Sequence, residues 1–299
     1  MRRAVAVLFL LTAVPLAVKS QAASRPDGPV DAIAMINYAQ GHHFKVGDWA
    51  KYQISSGSPI EYKPDYTVTV LIAGEELWWG EECFWLETQI SYAGSDPEVT
   101  ASLLSYAVFE DSLPSTHFQK YVRKFFFGVD EQGHAVQQLG MLNRSIFTRR
   151  GADFNDPVRQ TDTVGVEQVE VPKGNFQALH DTRYFRTAQN QATGDSTTHV
   201  ELTAKDARWW SDRIPITSLV RMDTEKIMRR RAWRNGESEN APLQTIEHGN
   251  WRTALIDFGT GMKSTLVDAR FQRPLSEQRT PAAKRRPAPA ASRTPRTRG

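Results

Sequence analysis

The side chains with the greatest capacity for chemistry are seven histidines, His42, His43, His117, His134, His180, His199 and His248, and one cysteine, Cys83. A zinc protease needs two histidines four residues apart on a helix with a glutamate between them, and no pair here has that spacing. His42 and His43 are neighbours, so on an extended chain they point to opposite sides and do not chelate together. Solvated loop histidines are the simpler expectation. There is no Gly-x-Ser-x-Gly elbow and no P-loop. Gly259-Thr260-Gly261 lacks the third glycine and the following helix of a dinucleotide fingerprint. Glu75, Glu76, Glu81 and Glu82 crowd around Trp78-Trp79. Solvated charges at a hairpin tip explain them, with a carbohydrate-binding or hydrolytic site as the alternative. Arg149-Arg150 and Arg229-Arg230-Arg231 read as surface charge. No catalytic residue, metal ligand or cofactor site is assigned, and the chain is expected not to be an enzyme.

The aromatic residues point elsewhere. The eight tryptophans include the adjacent pairs Trp78-Trp79 and Trp209-Trp210, and Phe125-Phe126-Phe127 forms a triplet. Neighbours on a strand face opposite sides, so one of each pair can enter a core while the other faces outward or lines a rim. Trp85, Phe126, Trp210 and Trp251 are the candidates for lining an apolar cavity, with ordinary core packing as the simpler alternative. Cys83, within Cys83-Phe84-Trp85-Leu86, reads as an inert core thiol. A single cysteine allows no internal disulfide, so stability must come from an apolar core.

The elements that would position these residues are strands. Tyr66, Val68, Val70 and Ile72 alternate with Thr67, Thr69, Leu71 and Ala73, leaving both faces fairly apolar and predicting cover on two sides. Phe84 to Tyr92 continues the alternation after a connection over 74–82. Val164 to Val171 turns through Pro172-Lys173-Gly174-Asn175 into a strand over 176–184. Residues 199–204, 216–222, 251–258 and 264–271 are further predicted strands. Residues 97–109 predict a short helix, and 226–233 either a helix or an edge strand with outward arginines. Val30 to Ala39 predicts one more short helix.

The two ends differ from the middle. Arg2-Arg3, an apolar run over 4–18 and Ser20-Gln21-Ala22 form a cleavable secretory signal over 1–22. The run is short for a membrane span, which needs roughly 20 apolar residues, and no other segment reaches that length. A lead-in covers 23–47, a β domain 48–272, and a Pro/Ala/Arg-rich tail 273–299, expected to be disordered. The tail carries eight Lys or Arg against Glu277, while 24–272 has a net charge of −7. Such a tail can tether the chain to an anionic envelope polymer or membrane surface. Nucleic acid is not an expected partner of an exported chain. No cysteine follows the signal, so no lipid anchor is expected, and the location is the periplasm or outside the cell.

Val169-Glu170-Val171-Pro172-Lys173-Gly174-Asn175-Phe176, the stretch 209–220 beginning Trp209-Trp210-Ser211-Asp212, and Ile256-Asp257-Phe258-Gly259-Thr260-Gly261-Met262-Lys263-Ser264 resemble uncharacterised exported bacterial proteins. Those are similar to the superfamily of outer-membrane lipoprotein carriers (LolA-like). The resemblance covers about half the chain, mainly 164–264. It implies a mainly β fold: a strongly curved antiparallel sheet, an open half-barrel covered by short helices, whose concave face holds acyl chains. Its motifs mark strands and turns, and no ligand-contacting residue is carried over. The expected function is that of a binding or carrier protein for a lipid or lipidated protein. The alternatives are a non-catalytic envelope protein tethered by its tail, and a carbohydrate-binding module.

Overall fold

The computed structural model describes residues 43–111, 120–129, 135–137, 158–234 and 242–278. Eleven strands form one antiparallel sheet: β1 (Trp49–Gly57), β2 (Tyr62–Trp78), β3 (Glu81–Tyr92), β4 (Glu98–Ser105), β5 (Val122–Val129), β6 (Ala135–Gln137), β7 (Val158–Val171), β8 (Gly174–Thr193), β9 (Ser196–Trp210), β10 (Leu219–Arg234) and β11 (Gln244–Gly259). Their spatial order is β6-β5-β4-β3-β2-β1-β11-β10-β9-β8-β7. Two meanders, β1 to β6 and β7 to β11, are therefore joined where β1 pairs β11, with Trp49 opposite Gly259 and Gly57 opposite Asn250.

The mainly β class stands, but the strongly curved, helix-covered half-barrel does not. The sheet is open between edge strands β6 and β7 and is not strongly curled. Folding over is local: the β7–β8 turn reaches back so that Lys173 N donates to Leu255 O at 3.3 Å. Among the described residues the only helical pieces are a 3-10 turn, Tyr106–Glu110, and a four-residue helix α1, Leu275–Gln278. No helix there is long and apolar enough to cross a membrane.

Irregular chain covers the sheet where helices were expected. β2 is buried on both faces, as its double apolar pattern predicts. One face joins Tyr52, Ile54, Val68, Val70, Ile72, Phe84 and Leu104 in the larger core. Phe44, Tyr106 and Phe109 pack on Phe84, with ring centroids 5.0–5.7 Å from it. The β9–β10 loop also covers this face, burying Ile214 and Ile216. Tyr52 holds the loop in place. Its hydroxyl donates to Leu219 O at 2.9 Å, so its contact with Thr217 Oγ1 must be a bond that Thr217 donates. Ile216 and Ser218 have φ of 67° and 52°, a conformation disfavoured for a β-branched residue unless the surroundings impose it.

The opposite face of β2–β5 carries a second core of Leu71, Ala73, Cys83, Trp85, Ala101 and Leu103, closed by Leu266 and Val267. Residues 264–271, expected to be a strand, pair with no strand. Their backbone donors serve a side chain instead. The fully buried Glu87 accepts from Thr265 N and Leu266 N, each at 3.2 Å, and from the hydroxyls of Ser264 and Thr265. Phe271 O lies against Gly74, where a Cβ would collide with it, so the segment can pass only over a glycine. Leu275 N then donates to Glu75 at 2.7 Å, so ordered chain runs to Gln278, beyond the expected boundary at 272.

Other expectations shift with the sheet. The connection expected over 74–82 shrinks to Trp79-Gly80, since Trp78 pairs Glu81. The helix expected over 97–109 is β4 followed by the 3-10 turn. Residues 226–233 lie inside β10, a central strand between β9 and β11. The signal, the helix over 30–39, Arg149-Arg150 and the tail beyond 278 fall outside the described residues.

Candidate binding face

Strands β8 to β11 run past the two cores as an extension of the sheet. Directly opposed residues of antiparallel strands share a face, so the register assigns each side chain. One face carries the rows Asp181–Arg208–Met222–Thr253, Arg183–Asp206–Thr224–Trp251, Phe185–Ala204–Lys226–Gly249 and Thr187–Leu202–Met228–Glu247. The first row continues into Ile54 of the larger core. The larger apolar side chains of this face are Met222, which packs on the core, and Trp251, Phe185, Leu202 and Met228, each half-buried among the polar residues of the same rows.

Trp251 lies flat because of what stands beside it. A Cβ at Gly249 would meet its six-membered ring, so the glycine leaves the space the indole occupies. Polar groups flank these apolar side chains. Arg183 reaches the buried Asp206 at 2.5 Å and keeps 43% of its side chain exposed. Arg208 pairs with Asp181 at 2.7 Å, Trp210 Nε1 donates to the same carboxylate at 3.0 Å, and Lys226 pairs with Glu247 at 3.1 Å.

The opposite face is charged. Asp223 sits between Arg221 and Arg252, the latter at 2.9 and 3.0 Å. Burial pushes this carboxyl up, but the two guanidiniums outweigh it and hold Asp223 below its ordinary range. Arg252 lies 4.2 Å over Tyr62 and Arg221 4.8 Å over Trp209. Glu201 takes Arg186 at 2.7 Å and Arg229 at 3.5 Å, and His248 meets Glu225 at 3.1 Å. His180 lies in β8, on the strand predicted over 176–184, stacked on Trp209 at 4.5 Å and with Nδ1 2.9 Å from Glu167. Both of its ring nitrogens are shielded from solvent, so this pair packs the β7–β8 hairpin rather than meeting a solute. Among the described residues no three His, Cys, Asp or Glu side chains come close enough to hold a metal ion.

The four cavity candidates do not converge. Trp85 is buried in the second core, stacked on Phe126 at 5.3 Å under the segment 262–271. Its Nε1 donates to Glu76, which also takes Lys124 at 2.5 Å. Trp210 and Trp251 lie on the other side of the sheet, half-buried. The residues that the sequence reading missed, Phe185, Leu202, Met222 and Met228, carry a visible signal. Leu202 and Met222 each stand between polar neighbours, Glu201 and Thr203, Arg221 and Asp223, an alternation that separates the faces once the register is known; Met228, which follows Ile227, and Phe185, which follows Tyr184, are less clearly marked.

No family model matches the chain, and no curated protein does. Among solved structures, similarity extends to a Bacteroides fragilis protein taken to be exported and of YmcC-like fold, at 11% identity and a TM-score of 0.31, over 74% of this chain and 99% of that one. A Parabacteroides distasonis protein taken to be a lipoprotein is similar at 10% identity and a TM-score of 0.34, over 73% and 99%. Neither is described as a lipoprotein carrier, so the functional reading rests on the side chains of the sheet.

Proposed function

We propose that the chain is an exported, non-catalytic binding or carrier protein that holds an amphiphile, an acyl chain with an anionic headgroup, against the apolar face of β8–β11. The observation that supports it is that Phe185, Leu202, Met222, Met228 and Trp251 share one half-buried face, beside Arg183, Arg208 and Lys226, each of which is paired with a carboxylate. Covering four or five half-exposed apolar side chains contributes about 1 kcal/mol each. An acyl chain adds about 0.8 kcal/mol for each methylene it buries. Together these reach micromolar affinity once the cost of association is met. Arg183 gives Nε and Nη2 to Asp206, and the N–H groups left on its part-exposed guanidinium can donate to an anionic headgroup.

The test is extraction of the natively purified protein with organic solvent, followed by mass spectrometry. Lipid should be recovered in near-stoichiometric amount and lost from Leu202→Asp and Met228→Asp, whose side chains are half-exposed and whose fold should tolerate the change. Recovery no greater than from an unrelated exported protein would remove the proposal.

A further inference from the structure

The segment 262–278 is held on the sheet by groups unlike those that hold the sheet together. It joins no strand ladder. At one end Glu87 accepts from Thr265 N and Leu266 N, each at 3.2 Å, and from the hydroxyls of Ser264 and Thr265, with Gln89 Nε2 of its own strand at 2.9 Å. At the other end Glu75 accepts from Leu275 N at 2.7 Å and from the Tyr106 hydroxyl at 2.8 Å. Between them Glu75 N donates to Phe271 O at 3.1 Å. The segment buries only Leu266, Val267 and Leu275.

Among the described residues neither carboxylate meets a lysine or an arginine. Directly across the strands Glu87 faces Leu71 and Ala101, and Glu75 faces Phe84. The rows on either side of Glu87 hold Lys51 opposite Asp257, and Lys124 tied to Glu76. Burial, and then Glu75 and Glu82, push the Tyr106 hydroxyl up, so it stays a donor. The segment's own charges, Lys263, Asp268, Arg270, Arg273 and Glu277, are exposed. Both anchors are therefore carboxylates satisfied by hydrogen-bond donors alone.

A carboxylate accepts on both oxygens, whereas a carboxylic acid carries a proton on one and accepts less. Bonds to the charged form are also the stronger ones. The N–H groups of Thr265, Leu266 and Leu275 cannot take up that proton's hydrogen bond, and Ser264 Oγ already accepts from Leu266 N and Val267 N at 3.1 and 2.7 Å. Protonation thus leaves the segment short of acceptors at both ends, while the backbone ladders of the sheet contain no group that titrates. We propose that 262–278 is an acid-released strap: protonation of Glu87 and Glu75 frees it while the eleven-stranded sheet persists, uncovering the apolar face of Leu71, Ala73, Cys83, Trp85 and Leu103. A segment held by few buried side chains opens locally at less cost than the whole fold. The uncovered face lies across the sheet from the β8–β11 face, and the strap works whether or not a lipid binds there.

The experiment follows thiol exposure in the strap itself, using Val267→Cys in a Cys83→Ala background and dithiodipyridine, which reacts in acid as well as at neutral pH. Rates are taken at about pH 7 and about pH 3.5, on either side of the ordinary carboxylate range. Each is divided by the rate of the urea-unfolded chain at the same pH. The relative rate should rise by at least about tenfold in acid, with the far-ultraviolet circular dichroism of the sheet unchanged, and fall again on return to neutral pH. Adding Glu87→Gln, a neutral replacement of the same shape, should give the fast rate already at neutral pH. If that variant does not fold, Glu75→Gln, at a part-exposed anchor, should raise the neutral rate by a smaller factor. A relative rate in acid within about twofold of the neutral one overturns the proposal. So does exposure that comes only with loss of the sheet signal, which is ordinary acid unfolding.

Discussion

Strands β1 to β5 and strands β8 to β11 belong to one sheet yet solve different problems. In the first region apolar residues occupy both faces, and both are covered: one by Phe44, the 3-10 turn and the β9–β10 loop, the other by Leu266 and Val267. In the second, polar and apolar residues alternate, and among the described residues neither face is sealed. The first region is a scaffold whose energy lies in burial. The second holds its charged rows by paired carboxylates and guanidiniums, and its larger apolar side chains stay half-buried. The contrast teaches that a strand's partners in the third dimension, rather than its neighbours in the sheet, decide whether it is structural or available.

The comparison breaks most readily at Glu87. Glu87→Ala strands the buried N–H groups of Thr265 and Leu266 and unseats the segment over Trp85, at a cost of about 4 kcal/mol. A urea midpoint within error of wild type would show that the second core does not need its cover. A matched pair sharpens the contrast. Leu103→Ala should lose about 3 kcal/mol, because the leucine is fully buried, and Leu202→Ala less than about 1 kcal/mol. Equal losses would mean that both regions are packed alike.

Asp223 tests the charged face. Its two guanidiniums hold the carboxyl below its ordinary 3.8, so its stabilisation is present above that value and lost as pH falls through the lowered one. Asp223→Asn should therefore be destabilised by about 1 kcal/mol at neutral pH, with its melting temperature converging on wild type only in acid. A constant gap down to pH 2 would contradict this. The smallest effect concerns Cys83, whose thiol is pushed up by burial, and further by Glu81, from 9.0 to about 11. The folded state keeps a proton that the unfolded state releases, so this contribution is intact below pH 9 and fades as pH rises from about 9 to about 11. Iodoacetamide at pH 8 should label Cys83 only after denaturation; labelling of the native protein would place the thiol outside the core.

The scaffold was more legible than the site. The alternation of Tyr66 to Ala73 announced a strand covered twice, and Pro172-Lys173-Gly174 announced its turn. The nature of the cover was not legible, because it depends on Glu87 satisfying backbone N–H groups 178 and 179 residues away, which no local period records. Residues 226–233 looked ambiguous for a related reason: arginines and a lysine sit in a central strand because Glu201 and Glu247 stand on its neighbours. The aromatic residues, read together in the sequence, lie apart in the sheet. Trp85 and Trp251 differ in face and region, and that distinction needs the register.

The pairing of β1 with β11 also bears on when the molecule can fold. A ribosome delivers Trp49 long before Gly259, and Trp85 long before the Leu266 that covers it. Until the last strand arrives, β1 is a bare edge and an apolar surface faces water, so a nascent chain gains little by collapsing early. Residues 244–278 act as the latch, pairing with β1 and then covering Trp85.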